Sequence, residues 1–372
     1  MKKKLRIIFL ADINSAHTQK WVIALVRSGV EVGLFTMFKP KDNWFLQYPE
    51  IKILHTSNND FSNDFVYKLS YFKAIPYLKK AIKDFKPDLL HSHYATSYGL
   101  IGALSGFHPH VISAWGSDVM NFPEKSYFHK TLLKFNLKRA DLVLATSNAI
   151  VKAIDEIIKV KIKIIPFGID LNYFKPTEIS KQIPQNTLVI GTVKSLEYVY
   201  GIDILIKAFK SLKENNKNKK IKLLIVGGGS KENEYKFLVE KLNIKDDVEF
   251  TGKVTYDDVI KYHNAIDIFV NVSRNESFGV SVLEASACGN PVIATNVGGL
   301  PEVILKDETG ILIESENIDE TINAIEKLLS DEPLRIKMGE NGKRFVRKYY
   351  NFENNVEDTL AVYNQLIQKL PS

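Results

Sequence analysis

Short apolar runs and longer amphipathic stretches alternate along the chain. In the first half the runs are LRIIFLA, VEVGLFT, DLLHSH, VISAW, LVLATS and KIIPFG; apolar residues at helical spacing fill Gln19 to Ser28, Tyr71 to Phe85, Leu132 to Lys138 and Ile150 to Ile158. Continuous apolar runs separated by amphipathic helices predict buried parallel strands, because crossover helices cover both faces of a parallel sheet. The stretch FKPTEISKQIPQN breaks the alternation with two prolines and polar residues and reads as a linker. The alternation then restarts with the runs TLVIGTV, IKLLIVGGG, VEFTG, DIFVNVS, NPVIATN and GILIE. Its predicted helices are Ile202 to Lys213, Glu232 to Lys241, Tyr256 to Ala265, one starting near Gly279, Ile318 to Leu329, and Glu353 to Lys369. The fold class expected is α/β, with two doubly wound parallel-sheet domains. The expected boundaries are 1–170, a linker at 171–187, 188–350, and a C-terminal helix over 351–372 packing back toward the first domain.

Length and composition agree with that division. A chain of 372 residues exceeds the usual single-domain size, and 45% apolar with 25% charged residues is ordinary globular usage. Cys288 is the one cysteine, so no internal disulfide can form and a reducing, cytoplasmic setting is expected. The opening MKKKLRIIFLAD is broken by Arg6 and stopped by Asp12, which makes it a first strand rather than a leader. No run reaches the ~18 apolar residues that a membrane span needs.

Charge is uneven. Residues 1–170 hold 24 Lys and Arg against 14 Asp and Glu, a balance of +10, whereas residues 171–372 are at −3. The cations cluster with aromatics at Tyr77 to Lys86 and Lys125 to Arg139. Two readings stand: solvated helix faces, or docking on an anionic lipid surface. Signatures of nucleic-acid binding are absent, so no nucleic-acid partner is expected.

Candidate chemistry concentrates in NVSRNESFGVSVLEASACGNPVIATNVGGLPEV, residues 271–303. A strand ends there, a loop follows, and a helix begins near Gly279. Unpaired amides and the positive dipole end at a helix start form an anion site, which glycine lets a phosphate approach closely. Glu276 and Glu284 bracket that site with seven residues between them. Carboxylates beside a diphosphate suit hydroxyl groups on either side of it, as in a nucleotide sugar.

These residues, with others in order, resemble the retaining glycosyltransferases of family 4, which have the GT-B fold of two Rossmann-like domains facing across a cleft. The matching stretches are Glu276-Ser-Phe-Gly-Val-Ser-Val-Leu-Glu284, Ala287-Cys-Gly-Asn-Pro-Val-Ile-Ala, Gly298-Gly-Leu-Pro-Glu302, Leu224-Ile-Val-Gly-Gly-Gly229, Phe250-Thr-Gly252 and Ile165-Pro-Phe-Gly-Ile-Asp170. The resemblance implies that Glu276 holds donor-sugar hydroxyls and Glu284 the ribose. Ser277 and the amides of Phe278, Gly279 and Val280 would approach the phosphates and sugar, and Gly252 and Lys253 would line the base pocket.

The departures are specific. The family's Gly-Arg-Leu followed by Lys-Gly supplies two cations to the diphosphate; here the loop is Gly191-Thr-Val-Lys-Ser-Leu-Glu-Tyr-Val-Tyr-Gly201, with Ser195 and Tyr200 at those positions. Lys194 is then the nearest cation and joins Glu276 as a catalytic candidate, with Arg274 as the alternative. In the first domain Trp115, within Ala114-Trp-Gly-Ser-Asp118, stands where family members often carry a histidine, and Asn14-Ser-Ala-His17 replaces a Gly-Gly turn. Acceptor-side candidates are His17, His93, Trp115 and Asp118; His91 is a further histidine at a strand end.

The expected function is metal-independent, retaining transfer of a hexose or N-acetylhexosamine from a nucleoside diphosphate sugar to a glycan or lipid-linked oligosaccharide. No cofactor and no metal are expected, since no Asp-x-Asp motif occurs. The expected location is cytoplasmic, with peripheral docking on the inner face of the cytoplasmic membrane. The rival readings are a non-catalytic nucleotide-sugar-binding subunit and a sugar-nucleotide epimerase of the same fold.

Overall fold

A computed structural model describes residues 4–56, 65–177 and 187–368. It forms two compact units, Met1–Pro166 with Asn354–Ser372, and Phe167–Glu353.

The first unit is built on a seven-stranded parallel sheet. Its strands are β1 (Arg6–Leu10), β2 (Glu31–Phe35), β3 (Ile51–His55), β4 (Leu89–His93), β5 (His110–Ala114), β6 (Leu142–Ala145) and β7 (Ile162–Ile164), in the order β3-β2-β1-β4-β5-β6-β7. Ile7 pairs with Val32 on one side and Leu89 on the other. One cluster of buried residues joins Ile8, Leu10, Phe35 and Leu90 to Leu78 and Phe85 of the helix Phe65–Phe85. A second joins Ile112 and Val143 to Leu133 and Leu137 of the helix Tyr127–Lys138. Each such aliphatic side chain, fully buried, contributes about 1.5–3 kcal/mol.

The second unit repeats the plan with six parallel strands: β8 (Leu188–Val193), β9 (Ile221–Val226), β10 (Val248–Phe250), β11 (Ile268–Asn271), β12 (Val292–Thr295) and β13 (Gly310–Ile313). Their order is β10-β9-β8-β11-β12-β13. The helix Ile202–Asn215 buries Ile202, Leu205, Phe209 and Leu212, a stripe at steps of three and four residues, and packs against Ile325 and Leu328 of the helix Ile318–Ser330. That second helix starts at Asn317, whose side chain accepts from Glu320 N at 3.0 Å while its amide donates back to the Glu320 carboxylate at 2.8 Å.

In both sheets the chain runs outward from the first strand and then returns to its other side. The reversal falls between β1 and β4 and between β8 and β11, and ligands of such sheets bind beyond the carboxyl ends at that point.

Most predicted strands and helices are present, and the helix Tyr256–Ala265 has the predicted bounds. Among the described residues, three elements of 5 residues or more were not predicted. Strand β3 lies at a sheet edge with Lys52 exposed, so its apolar run is broken. The helix Ser97–Ser105 is buried over most of its length and contains two glycines, which hides its periodicity. The helix Glu332–Tyr349 is largely polar; Asp331 caps it, accepting from Leu334 N at 2.9 Å. Of the segment read as a linker, 178–186 lies outside the described residues. Its described start belongs to the second unit, where Phe174 is buried beside Tyr256 and His263. The C-terminal helix, Phe352–Gln368, crosses the division between units, and its Tyr363 is buried in the first unit beside His91. Residues 369–372 lie outside the described residues.

Candidate active site

The second unit places Lys194 and Glu276 in the loops that follow the two strands flanking its reversal point. Lys194 follows β8, and its amide donates to Val226 O at 2.9 Å, extending the β8–β9 ladder by one residue. The glycines after β9 let this loop lie against them: a Cβ on Gly227 would stand 1.9 Å from Lys194 O. Gly227 N donates to Gly252 O at 3.2 Å, and the Lys253 amide lies against Gly228, so the loops after β8, β9 and β10 form one surface. On the other flank, Glu276 follows β11, and its carbonyl accepts from Gly299 N at 2.9 Å. A Cβ on Gly298 would stand 1.8 Å from that same oxygen. Backbone packed this closely admits only glycine. The Gly298-Gly299 turn is therefore explained by close packing on the Glu276 loop.

With both main chains held in this way, the side chains meet. Lys194 Nζ and a Glu276 carboxylate oxygen form an ion pair, each side chain only 11% exposed. The ammonium also lies 4.4 Å from the centroid of the Tyr200 ring, a cation–π contact.

The chain then enters the helix Val280–Ala287. Phe278 is buried against Phe167 and Tyr350, so its amide, and not its ring, is what it can offer a ligand. Gly279 has φ of +107°, and a Cβ there would sit 2.8 Å from Leu300 Cδ2. Its lack of a side chain thus serves helix entry and packing, a demand separate from the phosphate approach expected there. At the same helix start the Ser281 hydroxyl is buried and has no hydrogen-bond partner among the described residues. The sequence reading passed over Ser281, although it lies inside the motif that was singled out.

Glu284 lies further along the helix, 9% exposed, with one carboxylate oxygen 3.4 Å from His263 Nε2. His263 is fully buried between Phe174 and Phe269. It was also missed; the available signal was a histidine on the apolar stripe of the predicted helix Tyr256–Ala265. Burial and the Glu284 charge push the Cys288 thiol up to about 12 and raise the Tyr256 hydroxyl as well.

Arg274 stands apart from this arrangement. Its two terminal nitrogens bind both oxygens of Asp203 at 2.9 Å, one of them also donates to Tyr198 O at 2.6 Å, and Nε pairs with Glu316. Its guanidinium carbon lies 3.9 Å from the Tyr198 ring centroid. A guanidinium already answered by two carboxylates has little charge left for a phosphate. Arg274 braces the loop after β11 against the helix Ile202–Asn215.

The corresponding ends in the first unit bring imidazole and aromatic rings together. His93 ends β4 and is buried, its ring 4.6 Å from that of Trp115 and 4.8 Å from that of Phe9, centroid to centroid. His17 reaches the same tryptophan at 5.6 Å. Burial lowers His93 well below the usual histidine value, so it stays neutral. Asp118 is buried, and its carboxylate accepts from the amides of Ala95, Trp115 and Gly116 at 2.8, 3.1 and 2.9 Å. It holds the turn that carries Trp115 and is not directed at a ligand. His91 is fully used: Nδ1 bonds Tyr363 Oη at 2.6 Å and Nε2 bonds Ser113 Oγ at 2.7 Å. Among the described residues no three His, Cys, Asp or Glu side chains gather as a metal-ion set.

The two doubly wound units have the GT-B fold, and solved structures of that fold match nearly the whole chain. Sucrose-phosphate synthase from Thermosynechococcus elongatus does so with a TM-score of 0.86 at 22% identity, covering 99% of this chain and 100% of that one. Anabaena HepE, solved in complex with UDP and glucose, gives 0.79 at 22% identity over 97% of this chain and 100% of that one. Residues 175–345 match the family model described as glycosyl transferases group 1, and residues 6–147 the model described as glycosyl transferase 4-like. An uncharacterized glycosyltransferase of Methanocaldococcus jannaschii is 30% identical over 83% of this chain and 87% of its own length. The chain belongs to the group 1, 4-like glycosyltransferase family and is a transferase enzyme.

Proposed function

We propose that the protein transfers a hexose or N-acetylhexosamine from a nucleoside diphosphate sugar to a glycan acceptor, with retention at the sugar carbon and without a metal. The observation that carries this reading is the Lys194–Glu276 pair at the reversal point, beside a helix start with an unsatisfied Ser281 hydroxyl. Lys194, the first amides of the helix and Ser281 would take the negative charge that grows on the departing diphosphate; preorganised donors of this kind act where water is excluded. Glu276 would accept the sugar hydroxyls. Glu284, with His263 behind it, would accept the ribose hydroxyls. The solved HepE complex with UDP and glucose supports a nucleotide-sugar donor for this fold. In the first unit, Trp115 offers a flat apolar face to a sugar ring, flanked by His17 and His93.

The acceptor is proposed to be lipid-linked, with the protein docked at the inner face of the cytoplasmic membrane. Tyr127 and Phe128 are 86% and 70% exposed beside the exposed Lys125 and Lys130, and Phe72 and Tyr77 are exposed beside Lys79, Lys80 and Lys83. Aromatic and basic side chains together suit an anionic lipid surface. No helix among the described residues is long and apolar enough to cross a membrane.

A thermal-shift panel of nucleotide sugars tests the donor, because a ligand raises stability by ~RT ln(1 + [L]/Kd) and the right donor should stand out. With that donor, nucleoside diphosphate should be released only when an acceptor is present. Release without an acceptor, or conversion to an isomeric sugar nucleotide, would overturn transfer.

A further inference from the structure

Lys194 and Glu276 have a feature that the proposed reaction does not by itself require: without a ligand each already satisfies the other. We propose that this pair is a latch that the complete donor opens readily and the free nucleoside diphosphate opens only at a penalty, and that Tyr200 positions the lysine within it. The inference rests on the donor reading above.

The pair differs from a mobile surface ion pair. Both side chains are 11% exposed, and both main chains are fixed, Lys194 by Val226 O and the close approach of Gly227, Glu276 by Gly299 N and the close approach of Gly298. Partly dry charges cost free energy when either loses its partner. A diphosphate that draws the ammonium toward its own oxygens leaves Glu276 in that position. When a sugar is attached, its hydroxyls can donate to the vacated carboxylate, so both halves of the broken pair regain a partner. When the sugar has left, nothing replaces the ammonium, and the carboxylate is stranded. The site thus disfavours its own product relative to its substrate, which helps the nucleoside diphosphate to leave after transfer.

Tyr200 acts through Lys194. Its ring lies 4.4 Å from the ammonium, on the short turn Tyr198–Tyr200. A flexible lysine stem can place its charge in many positions, and the ring face selects the one within reach of Glu276.

The test is calorimetry of UDP, GDP, ADP, CDP and dTDP, each with its monophosphate, on the full chain, with a melting temperature recorded for every variant. Glu276→Gln keeps the shape and removes the charge. It should bind the preferred nucleoside diphosphate about 5- to 10-fold more tightly than wild type while leaving the monophosphate unchanged, a gain in affinity at a site where a lost contact would lower it. The gain should vanish in a Lys194→Gln background, since the coupling belongs to the pair. Tyr200→Phe should behave as wild type, whereas Tyr200→Leu should lose several-fold in diphosphate affinity with the monophosphate unaffected. Equal or weaker diphosphate binding by Glu276→Gln would overturn the latch, and equal losses in Tyr200→Phe and Tyr200→Leu would overturn the positioning role. Wild-type protein that binds none of these nucleotides would overturn the donor reading itself.

Discussion

The two sheets reverse direction in the same way and carry opposite chemistry at the reversal. After β8 and β11 the chain sets an ammonium against a carboxylate; the next helix carries a buried carboxylate and a hydroxyl with no partner among the described residues. After β1 and β4 it sets the His17 and His93 rings against tryptophan, and His93 against phenylalanine as well. Topology supplies a crevice in each unit, and the residues just past the strand ends decide what it can hold. In the proposed function the charged crevice would stabilise a diphosphate leaving group, and the aromatic one would cover the face of a sugar ring.

Removing charge from the second unit should break the contrast most severely. Lys194→Ala is expected to lower turnover by roughly 10²–10³-fold, the usual cost of losing one preorganised charge-stabilising donor, and to weaken nucleoside diphosphate binding far more than monophosphate binding. Equal losses for both nucleotides in calorimetry would place the cation elsewhere. Glu284→Ala should weaken donor binding by ~1–3 kcal/mol through the lost charge-assisted bonds to the ribose. Unchanged affinity would remove Glu284 from the ribose site.

The neutrality of the buried histidines in the first unit can be tested with acid. Burial lowers His91 to about 3 and His110 to about 4, against an ordinary value of 6.5. In the unfolded chain these groups take up protons below 6.5, and in the folded chain they do not. Stability is therefore unaffected by them above that value and falls as the pH drops from 6.5 toward 4, by up to about 1.4 kcal/mol per pH unit for each histidine. Denaturation followed between pH 7 and 5 should show this slope, and His91→Gln should reduce it; an unchanged slope would mean that His91 is not the buried neutral group its two hydrogen bonds describe.

The smallest effect per residue is expected at the surface. Each Lys near an anionic membrane contributes ~1 kcal/mol, screened by salt, so exchanging Lys79, Lys80 and Lys83 for Glu should reduce co-sedimentation with anionic vesicles at low ionic strength. Wild-type protein that ignores such vesicles would make the basic helices solvated faces and favour a soluble acceptor.

The sequence by itself determined the two α/β halves, because apolar runs and helical stripes are local patterns set by burial on a sheet. It also made legible one short stretch holding Glu276, Glu284 and the glycine turn, which lie in the loop after β11, on the helix that follows and just past β12. It could not show that Gly298 is there to admit the Glu276 carbonyl, or that Arg274 is consumed by Asp203 and Glu316. Nor could it show that Asp118 staples a turn or that His263 backs Glu284. Lys194 and Glu276 are 82 positions apart and became partners only because β11 is laid beside β8 in the sheet. Periodicity records what each segment buries; which segments become neighbours is decided by packing across the whole sheet, and the chemistry of the site arises from those neighbours.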